Sequence, residues 1–420
     1  MQKAVTSDAA SVINTSASGS LSTSGAAASV AFPVLLGLSF AHLLNDMMQS
    51  LVPAIYPIIK GAYNLDFAQV GMITFAFQLT ACIFQPLVGM YTDKHPLPYS
   101  AVAGMGFTLA GLITLGMAGS YVMLLLGAVL VGTGSAIFHP EATKMARNAS
   151  GGQHGLAQSL FQVGGQAGGA AGPLLAAFIV VPSGQRSLVW LSASALLAMA
   201  VLYQVVRMSA ARAVAQRSKS APLAPATTAG RLSDRQTAMA VGILVVLMFS
   251  KNAYTASFNS FYTFYLIETF KLSVPSSQMM LFVFMGATAL GTLIGGPLGD
   301  RIGRRRIIWF SILGALPFTL MLPYANLFWT GILTVVISLI MASAFGAILV
   351  YAMELLPKRI GLIAGLFYGL SFGLGGIGAA LLGHLADHSG IATVFQVCAF
   401  LPAMGLLAWA LPEIKSARPS

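Results

Sequence analysis

Between Phe32 and Ile59 the chain runs almost without charge, over more than the ~20 apolar residues that a helix needs to cross a bilayer core. Inside that run sit His42, Asn45, Asp46, Gln49 and Pro53. At 100° per residue these five fall on one narrow helical face, with Leu and Met on the others. A carboxylate near the middle of a spanning helix costs at least ~2.5–3.5 kcal/mol unless it faces a partner or a water-filled cavity. Two readings follow from this run alone: a structural hydrogen-bond cluster between helices, or a face lining a polar pathway. The rest of the chain favours the second.

Hydrophobic residues make up 57% of the sequence and charged residues 8%, against about 25% charged in soluble domains. A soluble globular fold is excluded. The apolar runs are long and rich in Leu, Ala, Gly and Met, whereas membrane β-barrels show alternating ten-residue segments, so helices are expected throughout. Cys82 and Cys398 lie inside apolar runs and have neither disulfide nor metal spacing. Residues 1–31 are Ser, Ala, Thr and Gly with one Lys and no apolar core, which reads as a disordered tail and not a signal segment.

The apolar spans fall at 32–59, 67–92, 98–119, 121–145, 153–181 and 186–207, then at 236–269, 274–299, 306–323, 326–352, 359–386 and 390–411. A polar, basic linker at 208–235 separates the two sets of six. The expected architecture is all-α, with twelve transmembrane helices in two six-helix bundles (32–207 and 236–411) and a short tail at 412–420. With both termini and the linker placed in the cytoplasm, outside loops hold only Lys60, Arg186 and Lys271, and Lys251 lies within a span. The remaining Lys and Arg face inward, and that asymmetry sets the orientation. The net charge of +11 is thereby explained by short loops against anionic lipid, with no nucleic acid required.

The two halves repeat. An offset of 206 aligns Gly155-Leu156 with Gly361-Leu362, Leu160-Phe161 with Leu366-Phe367, and Gly169 and Gly172 with Gly375 and Gly378. An offset of 207 brings Gly89, Asp93 and Lys94 onto Gly296, Asp300 and Arg301. Parallel six-helix repeats describe large secondary transporters whose site lies at midplane between the halves.

The string from Gly296 to Arg306, Gly-Pro-Leu-Gly-Asp-Arg-Ile-Gly-Arg-Arg-Arg, resembles the loop between helices 2 and 3 of a half in the major facilitator superfamily. The first-half copy, Gly89 to Pro96, keeps the glycine, acid and base but lacks the Gly-Arg-Arg tail. The resemblance covers essentially the whole membrane part. It implies a latch between bundles, for which Gly89, Asp93, Lys94, Arg147, Gly296, Asp300, Arg301, Arg304, Glu354 and Arg359 are the candidates. Three further strings, His42 to Leu51, Gly132 to Glu141 and Ala149 to Gly165, resemble the fosmidomycin-resistance efflux proteins. That resemblance implies proton-driven export of the phosphonate antibiotic fosmidomycin, and of other drugs, across the bacterial inner membrane.

Asp46 lies about 20 Å along its helix from Pro33 at 1.5 Å per residue, hence near midplane. Asp46, His42 one turn away, and Glu141 are the candidates for carrying the coupling proton, with membership of the inner-side latch as the alternative for Glu141. Lys251 lies at a similar depth in helix 7, where it would neutralise an anionic substrate or pair with Asp46. Asn45, Gln49, Gln78, His139, Gln158, Gln162, Tyr254, Thr255 and Tyr262 complete the expected substrate site, between helices 1, 2, 4 and 5 and helices 7, 8, 10 and 11. Pro140 is expected to kink helix 4. No phosphate-binding loop and no metal-spaced cluster is present, so neither an enzyme nor a cofactor is expected. The reading is a monomeric, proton-coupled drug exporter whose partners are protons, lipid and a small anionic drug. A proton-coupled symporter for organic anions and a non-transporting membrane receptor are the alternatives.

Overall fold

A computed structural model of the protein describes residues 29–65, 67–217 and 233–413. These residues are almost entirely helical. The first half comprises α1 (Phe32–Ala54), α2 (Phe67–Lys94), α3 (Ser100–Gly116), α4 (Tyr121–Asn148), α5 (His154–Leu175) and α6 (Ala193–Arg217). The second comprises α7 (Asp234–Phe270), α8 (Val274–Ile302), α9 (Arg304–Leu313), α10 (Leu327–Leu355), α11 (Ile360–Ser389) and α12 (Ile391–Cys398). A short helix, Leu316–Met321, prolongs α9, and a 3-10 stretch, Leu401–Ala410, prolongs α12. Among the described residues, eight helices are by themselves long and apolar enough to cross a membrane.

Several boundaries follow from local chemistry. Pro53 cannot donate a backbone hydrogen bond, and α1 gives way one residue later to a separate short helix, Tyr56–Ala62. Ser233 and Gln236 form a reciprocal capping box at the start of α7, which satisfies donors the helix leaves open. Helix α6 continues to Arg217, into the segment read as linker; residues 218–232, with the tails 1–28 and 414–420, lie outside the described residues. Helix α4 runs through Pro140 to Asn148.

Within the first bundle α1 lies against α5. A Cβ added at Gly164 or Gly168 would run into the backbone carbonyls of Ser39 and Leu43, and one at Gly172 into the Ser50 hydroxyl. Small residues at a spacing of four thus let the two helices meet backbone to backbone. Gly169, matched to Gly375 in the repeat, has nothing near its missing Cβ. Across the molecule, α2 packs on α11 and α5 on α8, and these pairings bring the two bundles together.

Candidate functional site

At one end of the molecule, which also carries the first described residues through an Ala31–Ala149 backbone hydrogen bond, the bundles are tied by two matching caps. Asp93 at the end of α2 accepts the Gly361 and Leu362 amides that open α11, at 2.9 Å each. Asp300 at the end of α8 accepts the Gly155 and Leu156 amides that open α5, also at 2.9 Å each. A carboxylate on a helix N-terminus answers both the free amides and the dipole. Glycine is required because each cap brings backbones together: a Cβ on Gly89 would strike the Gly361 carbonyl, and one on Gly155 the Gly296 carbonyl. The residues matched at offsets of 206 and 207 are therefore equivalent, the acid of each half meeting the helix start of the other.

The bases around the caps differ from expectation. Lys144 Nζ lies 3.5 Å from Asp93 and 2.7 Å from Glu141, and Thr92 donates to Glu141 at 2.5 Å. Glu141 thus belongs to this end of the molecule and not to the midplane. Arg304 holds Asp300 at 2.7 Å and Glu354 at 3.0 Å. It reaches Asp300 because Gly303, at φ 99°, ends α8 abruptly and starts α9 beside it. Lys94, Arg301 and Arg359 are exposed and form no ion pair among the described residues. Arg147 sits at the end of α4.

Between the bundles lies a cavity of about 220 Å³, lined by side chains of α1, α4, α5, α7, α8, α10 and α11. Helix α2, expected in the wall, contributes nothing to it, and Gln78 is absent with it. The reason is its packing on α11, where missing side chains at Gly365 and Gly369 admit the carbonyls of Gln85 and Cys82.

The first-bundle wall is built round Asp46. His42 Nδ1 lies 2.7 Å from the Phe161 carbonyl and His139 Nδ1 3.0 Å from the Ser135 carbonyl. A carbonyl only accepts, so each Nδ1 carries a hydrogen and each Nε2 is the ring's other nitrogen. Both Nε2 atoms point at the Asp46 carboxylate, at 3.2 Å for His42 and 3.5 Å for His139. An imidazole protonated at Nε2 would donate to the carboxylate across this gap, and the three side chains bring their ligand atoms within 4.8 Å of one another. Asn45 and Gln49 donate to Asp46 Oδ1 at 2.9 and 3.1 Å. They orient the carboxylate and do not line the cavity. Ser135 in turn donates to Gln49 at 3.0 Å.

Lys251 lies on the opposite wall. Its ammonium sits 5.6 Å from the centre of the Phe345 ring, and no ion pair joins it to an acid among the described residues. It therefore does not pair with Asp46. Tyr254, Thr255 and Tyr262 do not reach the cavity. Tyr254 and Tyr262 are buried in an aromatic cluster with Phe258, Phe284 and Phe395, Tyr262 is hydrogen-bonded to Thr334 at 2.7 Å, and Thr255 bonds back to the Lys251 carbonyl. Their turns of α7 face the bundle interior below Lys251.

Tyr368 takes the place foreseen for these tyrosines. Its hydroxyl accepts from Gln158 at 3.0 Å and donates to Gln162 at 2.5 Å, and its ring lies 4.8 Å from that of His139. Three buried polar atoms around the cavity, Gln166 Oε1, Asn252 Nδ2 and Ser371 Oγ, have no hydrogen-bond partner among the described residues. Tyr368 and Ser371 carry no sequence signal because Tyr and Ser are ordinary in apolar helices. Gln166, by contrast, continues the Gln158–Gln162 rail at a spacing of four.

The sequence matches the Major Facilitator Superfamily over residues 38–268 and again over 243–420. The chain belongs to that superfamily. It is 53% identical over 394 residues to the fosmidomycin resistance protein of Escherichia coli strain K12, covering 93% of this chain and 96% of that one. It is 38% identical to the uncharacterized MFS-type transporter YfnC of Bacillus subtilis strain 168, covering 92% and 94%. Among solved structures, the major facilitator transporter FucP in its outward conformation superposes with a TM-score of 0.69 at 16% identity, over 91% of this chain and 99% of that chain. The protein is a multi-pass membrane transporter and not an enzyme.

Proposed function

We propose that this major facilitator transporter is a proton-coupled exporter of fosmidomycin and similar small phosphonate anions, working in the bacterial inner membrane with both termini cytoplasmic. The observation that carries the reading is the pairing of two unlike walls in one cavity, a carboxylate–imidazole seat at Asp46 and an unpaired ammonium at Lys251. An unpaired ammonium inside a membrane protein is costly, and an anionic substrate supplies its missing partner. The unbonded Gln166, Asn252 and Ser371 atoms offer polar contacts to the same ligand. The fosmidomycin resistance protein of Escherichia coli, at 53% identity over nearly the whole chain, supports the choice of substrate.

In this reading the proton sits between Asp46 and His42, with His139 as the second imidazole. Its arrival or departure changes the charge facing Lys251 across the cavity, so proton and drug compete for one field. The caps at Asp93 and Asp300 hold the cytoplasmic side shut, and the cavity then serves the outer face. Opening requires both caps to release.

Inverted membrane vesicles test this directly. A proton gradient, acid inside, should drive labelled fosmidomycin into the vesicles, and collapsing the gradient should stop it. Drug movement in the direction of the protons would instead establish the symporter. Failure of drug and of other organic anions to accumulate would remove transport of this class.

A further inference from the structure

We infer that the cap-bearing end of the second bundle carries a binding site for the headgroup of an anionic phospholipid. A cavity of about 1000 Å³, separate from the central one, opens there between the start of α9 and the stretch that prolongs α12. Four arginines, Arg301 and Arg304 to Arg306, stand in its wall with three acids, Asp300, Glu354 and Glu413. The acids are already engaged. Asp300 and Glu354 are held by Arg304, and Glu413 lies 3.7 Å from Arg305, which also donates to the Trp409 carbonyl. Arg301 and Arg306 are left exposed and without an ion-pair partner among the described residues. Glycine at position 303 offers the first turn of α9 no side-chain cap, so the positive end of that helix dipole adds to the arginines instead of opposing them. An arrangement of like charge with free amides calls for an anion, and planar guanidinium groups match phosphate.

The remainder of the wall says which phosphate. Trp309 and Trp409 stack with ring centres 6.2 Å apart, and Trp309 Nε1 is buried with no acceptor. Immediately beside them Phe310 is 48% and Trp409 64% exposed, with Leu406 and Leu407 exposed on the same stretch. Tryptophans at this level of a membrane protein mark the headgroup zone, and the apolar flank is suited to acyl chains and not to water. A ligand with a phosphate head and an apolar body, from the leaflet on the basic side, satisfies both halves of the site. The segment after Glu413 is a poor occupant, since it adds Lys415 and Arg418 to a positive wall. This inference does not depend on the substrate proposed above. It places a lipid one residue's reach from Arg304, which also holds the Asp300 cap.

Two of the four tryptophans line the cavity, so fluorescence can read it. With Trp190→Phe and Trp329→Phe in the background, the full-length protein is reconstituted in phosphatidylcholine vesicles doped with brominated phosphatidylglycerol or with brominated phosphatidylcholine. The expected result is stronger quenching by the anionic lipid at equal dose. Arg301→Gln with Arg306→Gln should weaken the preference by roughly twenty-five-fold, about five-fold per arginine. Both side chains are exposed, and the comparison of lipids in the unsubstituted arginine background decides the question even where the double variant assembles poorly. Equal quenching by the two lipids overturns the proposal. So does a preference that the arginine substitutions leave intact, or one abolished by inorganic phosphate, which would make the ligand a free anion.

Discussion

Asp93 of the first bundle closes on Gly361 of the second: its Oδ1 accepts the Gly361 amide at 2.9 Å, where the glycine's missing side chain leaves room for the Gly89 backbone. Asp300 repeats the relationship with Gly155. Each half thus contributes one acid and one helix start, and duplication of a single six-helix unit produces a symmetric closure without any new residue type.

Asp93→Asn and Asp300→Asn should each open this end. Asparagine keeps one acceptor but loses the second bond and the charge, and a hydrogen bond to a charged group is worth ~1.5–3 kcal/mol. The ratio of closed to open molecules should fall by roughly ten- to a hundred-fold per substitution. Spin labels at the exposed positions Lys94 and Lys358, with Cys82 and Cys398 replaced by serine, would report longer distances. An unchanged distance distribution removes the caps from gating.

Lys251→Ala should abolish fosmidomycin binding while leaving the protein assembled, because the ammonium lies over the Phe345 ring and makes no ion pair among the described residues. Lys251→Arg should retain part of the affinity, since charge is kept and shape is not. Equilibrium binding of labelled drug to purified protein checks both. Wild-type affinity in the alanine variant would place the anion elsewhere.

Asp46→Asn should separate coupling from translocation. The seat between His42 Nε2 and the carboxylate disappears, while the Lys251 wall is untouched. Gradient-driven uptake into inverted vesicles should vanish, and exchange of drug for drug at equal pH should persist. Driven uptake at the wild-type rate would show that another group carries the proton.

The two tyrosine positions should part company. Tyr368→Phe removes the hydroxyl that joins Gln158 and Gln162 and should weaken drug binding. Tyr262→Phe removes a bond to Thr334 away from the cavity and should cost only about 1 kcal/mol of stability. Thermal unfolding in detergent, alongside drug titration, distinguishes the two effects.

Gly168→Ala should destabilise the first bundle by about 1–3 kcal/mol, because the new methyl group overpacks against the Leu43 carbonyl. Gly169→Ala, one residue on with open space around it, is the control and should unfold at the wild-type temperature. Matching losses in both would mean that the close contact at Gly168 is not what sets the stability of this face, since alanine by itself favours the helix.

The chain's own order of residues determined the helices, their division into sixes, and the matched positions of Asp93, Asp300, Gly155 and Gly361, because hydrophobic run length and repeat spacing are local or linear properties. It also marked Asp46 and Lys251, since a charge within an apolar run is conspicuous wherever it points. Tertiary structure alone decided what each group meets. It turned Tyr254 and Tyr262 into an aromatic core, put Tyr368 beside His139, gave the latch Lys144 in place of Lys94, and set Glu141 beside that lysine. Rotation of one helix against another by a fraction of a turn moves a side chain from a cavity to a packed seam, and no spacing within a single helix records that rotation.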